Sequence, residues 1–394
     1  VVYDAIVIGA GIVGAAIARD LARDGLAVAI VERHSAASGS SGRGEGNILV
    51  SDKAPGPELE LALIARARWT EVSEELRDEL AGDLPDIEFE HKGGVVVATG
   101  AADIAPLLAF AKAQRDAGVR CRVLDPAEAL ELEPHLNPAV AAAVHYPDDA
   151  QVQPVIATEA LLLSARRAGA VVVTGADVLG PVTDAAGRIR GVRTSTGTVL
   201  ASVVINAAGP WSGEVGMRLG APIPVQPRRG IILVTTRMPP RVHHKVYDAD
   251  YVGAVGSDSD ELQTSSVVES TRAGTVLIGS SRQRVGFADE LRADLIGELC
   301  RKALTLFPFL REASVMRSYS GFRPFTPDHL PLIGEDPRVE GLWHATGHEG
   351  AGVGLSLATA AFVADALAGR TPAIDPRVVG LIRPGILETA EIAS

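Results

Sequence analysis

Val2–Arg33, VYDAIVIGAGIVGAAIARDLARDGLAVAIVER, is the stretch whose reading decides the fold. Tyr3 to Ile8 is a short apolar run rich in Val and Ile that stops at a glycine, the pattern of a buried strand. Gly9-Ala10-Gly11-Ile12-Val13-Gly14 follows as a G-x-G-x-x-G turn. Ala15, Ala16, Ala18, Leu21 and Ala22 then recur at helical spacing up to Asp24-Gly25, and a second strand, Leu26 to Val31, closes on Glu32. Each glycine has a mechanical reason: a tight turn, close backbone approach to a pyrophosphate, and close helix–strand packing. Free N–H groups and the helix dipole favour an anion at that helix start. Glu32 is placed to accept hydrogen bonds from a ribose and would repel a 2′-phosphate, which argues against NADP. A lone G-x-G-x-x-G is often just a tight turn. Strand, turn, helix, strand and acid in this order, within about thirty residues, make it a dinucleotide site, although the motif does not separate NAD from FAD.

The bulk composition narrows the partners. A chain of 394 residues holds two or three domain-sized units. A formal net charge of −12 leaves no basic footprint, so neither nucleic acid nor an anionic membrane is expected. Cys121 and Cys300 stand too far apart to hold an iron–sulfur cluster or structural zinc by themselves, and a reducing, cytoplasmic compartment is expected. His243-His244 and Glu349 form no metal constellation. The first residues enter a strand without a basic or apolar leader, so no signal peptide is expected. Ala351–Leu367 is apolar but Ala- and Gly-rich and interrupted by Asp365, a buried core helix rather than a membrane span.

Further along, Ser35–Asn47, SAASGSSGRGEGN, has linker composition. It nevertheless follows a strand of the nucleotide fold, a position that suits a loop lying against the cofactor with Arg43 reaching phosphate or substrate. Helices are expected over Glu58–Leu80, Leu107–Ala117, Ala127–Leu132 (capped by Asp125-Pro126), Pro154–Ala168 and Asp289–Phe307. Strands are expected over Gly93–Ala98, Ala170–Thr174, Val203–Ala207, Val225–Val234 and Thr275–Gly279, with a hairpin-like Gly187–Val199. His243–Gln263 reads as a polar segment carrying Tyr247 and Tyr251. The strand at Gly93 is too far from the first two to be the next repeat of a doubly wound sheet. The fold expected is therefore α/β, a Rossmann-type dinucleotide-binding domain with an interleaved α+β substrate domain on a mixed sheet. The first would take residues 1–84, 146–222 and 319–394, the second 85–145 and 223–318.

The last seventy-odd residues hold a second informative turn. The strand Leu342–Ala345 runs into Thr346-Gly347-His348-Glu349-Gly350-Ala351-Gly352-Val353-Gly354 and opens a helix expected over Leu355–Leu367. Two anion-favouring helix starts at opposite ends of one chain need explaining. An NAD enzyme needs only the first. FAD uses both, the first for its pyrophosphate and the second for the flavin edge where negative charge collects on reduction.

Gly9–Gly14 with Glu32, Asn206-Ala-Ala-Gly-Pro-Trp211, Arg323-Pro-x-Thr-Pro-Asp328 with Pro331-x-Ile-Gly334, and Gly347-His-Glu-Gly-Ala-Gly352 together resemble the D-amino-acid oxidase superfamily. The likeness runs from end to end. It is nearest the glycine/sarcosine oxidase-like flavoenzymes, including flavin subunits of proline- or hydroxyproline-type dehydrogenases. The resemblance implies FAD and oxidation of an amino or imino acid at its Cα–N bond, giving an imine that water hydrolyses. It implies that Arg323 pairs with the substrate carboxylate through its planar fork. His348, Tyr251, Tyr247 and Tyr319 are lid or pocket candidates by position. The expected cofactor contacts are Gly9, Gly11, Ile12, Val13, Gly14, Glu32, Arg33, Ser40, Ser41, Arg43, Gly44, Gly46, Asn47, Val178, Ala207, Ala208, Gly209, Trp211, Arg323, Gly347, His348, Glu349, Gly350, Ala351, Gly352 and Val353.

Two departures from that family pattern matter. Gly274-Thr-Val-Leu-Ile-Gly279 carries Leu277 where the monomeric sarcosine oxidases have an oxygen-activating lysine. Val315-Met316-Arg317-Ser318 lacks the cysteine that attaches FAD in those enzymes. Non-covalent FAD is therefore expected, with electrons passed to an acceptor or to a partner subunit carrying an iron–sulfur cluster. An oxygen-using oxidase, a flavin-holding subunit without chemistry of its own, and an NAD-dependent dehydrogenase stand as the alternatives.

Overall fold

The computed structural model describes residues 1–394 except 258, 382, 384 and 389–394; the last six, which the sequence reading includes in the cofactor domain, lie outside the described residues. Val2–Ile8 runs through the middle of a mixed sheet. Val28–Val31 and then Val171–Val173 pair parallel on one side, and Gly197–Asn206 and then Leu342–Thr346 on the other. Leu332–Glu335 closes the edge antiparallel, and a hairpin of Val178–Thr183 and Ile189–Thr194 rises from Gly197–Asn206. Ala5, Ile6 and Val7 are all fully buried because both faces of the strand are covered. Ala5 and Val7 meet the helices, whereas Ile6 and Ile8 join Val178, Ile189 and Val192 on the hairpin side.

Three helices pack on that first face: Ile12–Arg23, Pro154–Arg167 and Gly352–Leu367. Gly352–Leu367 is buried along most of its length against Ile12–Arg23 and Pro57–Glu79, so the apolar tract is a core helix. It starts three residues earlier than the sequence suggests, at Gly352 rather than Leu355. Glycine is tolerated in its first turn because Gly354 packs on the backbone of Asn47 and Ile48, where a side chain would crowd. Trp69, fully buried, donates its indole N–H to the carbonyls of Val353 and Gly354 at 3.2 Å each and ties that turn to the long helix.

The second sheet orders Val315–Phe325, Gln226–Thr235, Val276–Arg282, Gln263–Ser270, Lys245–Asp248, Gly94–Ala98, Ala142–Tyr146 and Arg122–Leu124. Ala293–Leu306 covers one face through Leu295, Leu299, Ala303 and Leu306, the three-to-four spacing of one helix stripe. The strand Val315–Phe325 runs through position 319, where the sequence reading begins the last cofactor-domain segment. It stays with the second sheet to Phe325 because its ladder with residues 226–234 is unbroken from Arg317 to Phe325. The helix expected at Leu107 begins at Ala101 and continues through Pro106. Ala102, whose carbonyl Pro106 cannot bond, is exposed to water. The supposed polar segment after His243 instead contains the buried strand Lys245–Asp248 and the helix Asp250–Val255.

Candidate active site

The two sheets enclose an elongated cavity of about 380 Å³. One end is the first glycine turn. A Cβ on Gly14 would overlap the Gly9 carbonyl oxygen, so helix and turn approach as closely as they do only with glycine there. Gly11 caps the helix without a side chain, and the Ser41 hydroxyl accepts from the Ile12 N–H at 2.9 Å. The Glu32 carboxylate accepts from the Ala10 and His34 N–H groups at 2.9 and 2.8 Å, which stiffens the turn while the side chain still lines the cavity. Beside it Arg33 lies 4.2 Å over the Trp211 ring, and Trp211 stacks on Phe287 at 5.2 Å. Val178 and the Ala207-Ala208-Gly209 turn form the adjoining wall.

The middle is the serine- and glycine-rich loop. Ser40, Ser41, Arg43, Gly44, Gly46 and Asn47 all line the cavity, together with Gly9, Gly11, Ile12 and Val13. Ser40 Oγ donates to the Phe322 carbonyl and Arg43 Nη1 to that of Ser320 at 3.0 Å, so the loop is stitched to the second sheet. At the far end lie Ile232, Tyr251, Ser280 and Arg323, with His348, Glu349, Gly350, Gly352 and Val353 from the second glycine turn. Gly14, Gly347 and Ala351 support these turns from behind, outside the lining.

Arg323 is held by its neighbours' small size. A Cβ on Gly230 would run into its guanidinium, and Nη1 donates to the Ser281 carbonyl at 2.9 Å. Burial, then the charge of Arg282, push Arg323 down to about 10, leaving it charged at neutral pH. His348 bonds Thr359 Oγ1 through Nε2 at 2.9 Å, and burial pushes it down to about 4, so it is neutral there.

Two tyrosine expectations are corrected. Tyr247 is fully buried in its strand, 2.7 Å from Ser51 Oγ through its hydroxyl, and does not line the cavity. Tyr319 shares the strand face of Arg323 but lies about 13 Å further along. There it packs on Ile232, Val234 and Leu277. Tyr251 does reach the cavity.

Four charged residues that the sequence reading passes over meet here. Glu45 lines the cavity; Oε2 takes the Lys245 ammonium at 3.1 Å and the Asn47 amide at 2.8 Å, while Oε1 is buried and unbonded. Burial pushes the Glu45 carboxyl up, but Lys245 and Asn47 outweigh it and hold it below the usual range, so it is ionised. Lys245 also lies 3.7 Å from Glu269, which burial raises to about 7. Arg228, opposite Arg323 in the ladder, reaches Glu349 at 3.4 Å. Arg228 and Lys245 stand in polar surroundings at the start of their strands and Glu45 among glycines, so none carries a signal in the sequence.

A cavity that begins at a glycine-crossed helix start beside an acid and ends at a second glycine-crossed helix start fits an extended dinucleotide whose reactive ring lies near Arg323. Fold and site thus define a flavin-dependent oxidoreductase. Residues 4–366 match the DAO family, FAD dependent oxidoreductase. The chain is 30% identical over 384 residues to a glycine oxidase of Geobacillus kaustophilus, covering 97% of each, and that enzyme's crystal structure superposes with a TM-score of 0.87. It is 29% identical to hydrogen cyanide synthase subunit HcnC of Pseudomonas aeruginosa, over 91% of this chain and 90% of that one. It is also 30% identical to one of the subunits of anaerobic glycerol-3-phosphate dehydrogenase of Escherichia coli, over 82% of this chain but 57% of that one. The chain belongs to the DAO family, and its cofactor is FAD.

Proposed function

We propose that this chain oxidises the Cα–N bond of a carboxylate-bearing amine, an amino or secondary-amino acid, and passes the electrons to an acceptor other than oxygen. The observation that carries the reading is that an ionised arginine and an ionised carboxylate, Arg323 and Glu45, open onto one cavity beside the second glycine turn. Bound FAD would supply the hydride acceptor. Arg323 clamps the substrate carboxylate, which fixes Cα. Glu45 faces the substrate nitrogen, which reacts once its ammonium proton has gone to solvent, so that the lone pair is free when hydride leaves Cα. The resulting imine is then hydrolysed by water. The N–H groups at the start of Gly352–Leu367 favour negative charge at that end of the cavity. Residues around the first sheet serve as the cofactor domain and the second sheet as the substrate domain. FAD is held non-covalently, since Cys121 and Cys300 pack into the two cores away from the cavity. Their free thiols suit a cytoplasmic location.

Transfer to a separate acceptor is supported by Leu277, which is buried in an apolar cluster, and by Lys245, whose charge is taken up by Glu45 and Glu269. Two of the similar proteins are by name subunits, which favours a partner carrying the next redox centre. The test is anaerobic reduction of the purified flavoprotein by glycine, sarcosine, D-amino acids and both prolines, followed by reoxidation with air or a dye. Bleaching by an amine with fast dye and slow air reoxidation is expected. Fast peroxide release would make it an oxidase, and no bleaching by any amine would refute the reading.

A further inference from the structure

Arg282 is a second buried guanidinium at the substrate end, and substrate oxidation as described above makes no use of it. It ends the strand Val276–Arg282 and is 3% exposed. Nη1 donates to Ser280 Oγ at 3.1 Å, and the guanidinium carbon lies 4.6 Å over the ring of Tyr251. Nε is buried with no hydrogen-bond partner. Ser280 and Tyr251, the two side chains it touches, line the cavity that Arg323 faces, so the guanidinium lies directly behind that wall.

Among the described residues, no carboxylate comes within 4.0 Å of either guanidinium. The nearby acids are engaged elsewhere: Glu349 with Arg228 and His329, Glu45 with Lys245, and Asp260 with Arg284. Two buried like charges with no ion pair among the described residues repel each other. A single α-carboxylate neutralises one of them. Tyr251 keeps the other in place by stacking under it rather than by neutralising it.

We propose that Arg282 receives a second carboxylate, so that the substrate class is a dicarboxylic amine: an amino acid with an acidic side chain, or an amino acid whose nitrogen carries a carboxyalkyl group. This rests on the amine-oxidation reading and names its substrate.

The test is titration of the FAD-loaded protein with non-oxidisable glutarate and butyrate, followed by the flavin difference spectrum. Glutarate is expected to bind about ten- to hundredfold more tightly than butyrate, the gain from one charge-assisted pair. In Arg282→Gln that ratio should fall to near one with butyrate affinity kept, and Arg282→Lys should restore part of it. Equal affinities in the unsubstituted protein would overturn the proposal, and so would equal weakening of both ligands in Arg282→Gln. Should a variant fail to fold, the ratio in the unsubstituted protein still decides. Failure of every amine to bleach the flavin would count against the oxidation reading alone, since these ligands need not react.

Discussion

Replacing Arg323 with methionine should make the ligand-free protein more stable while it loses its carboxylate site. Burial and Arg282 bring the guanidinium well below its ordinary value, to about 10. At about 1.4 kcal/mol per pKa unit, that difference is about 3 kcal/mol against the charged form. Because the folded value is the lower one, the penalty is fully present at neutral pH, where folded and unfolded chains are both charged. It would fade only as the pH rises through 10. Part of the side chain faces the open cavity, so water recovers some of this cost. The lost bond to the Ser281 carbonyl subtracts about 1 kcal/mol more. A net gain of about 1–2 kcal/mol remains, a rise in Tm of about 2–4 °C. Flavin difference titration of the same variant should show carboxylate affinity reduced at least about tenfold, with FAD content unchanged. A lower Tm, or undiminished carboxylate binding, would refute the placement of Arg323 as a strained, ligand-directed charge.

Glu45→Gln should weaken binding of the amine about tenfold, the loss of one charge-assisted contact, while leaving the flavin spectrum and its retention on gel filtration intact. Gly14→Ala forces helix and turn apart at the Gly9 carbonyl and should yield protein largely stripped of flavin, read as the ratio of 450 nm to 280 nm absorbance. His348 is neutral when folded, with a value near 4 against an ordinary 6.5, so its contribution is present above pH 6.5 and is lost as the pH falls toward 4. Urea midpoints should therefore drop across that window by the equivalent of about 3 kcal/mol, and His348→Gln should flatten the slope. Asp336, fully buried between His344 and Arg338, should cost about 1–3 kcal/mol as Asp336→Asn, seen as an early thermal transition.

What the sequence by itself determined is what its local order encodes. The apolar run, glycine turn and helix of Val2–Arg23 need only neighbours a few residues away, and so do the second glycine turn and its core helix. Their spacing therefore announces two anion-favouring helix starts before any folding is known. Arg323 was singled out only through the family resemblance of Arg323-Pro-x-Thr-Pro-Asp328. The charge balance around it was not legible. Arg228 faces Arg323 through a ladder nearly a hundred residues apart in sequence, and Lys245 meets Glu45 because its strand pairs with Gly94–Ala98. Among the described residues, Arg282 is left without a carboxylate within 4.0 Å by how those strands pack. Tyr247 shows the same limit in reverse: a tyrosine in an apparently polar stretch became core once its strand was enclosed on both faces. Only the tertiary structure decided these, because burial and pairing of a charge are properties of what lies across the sheet, and strand register sets that over long separations.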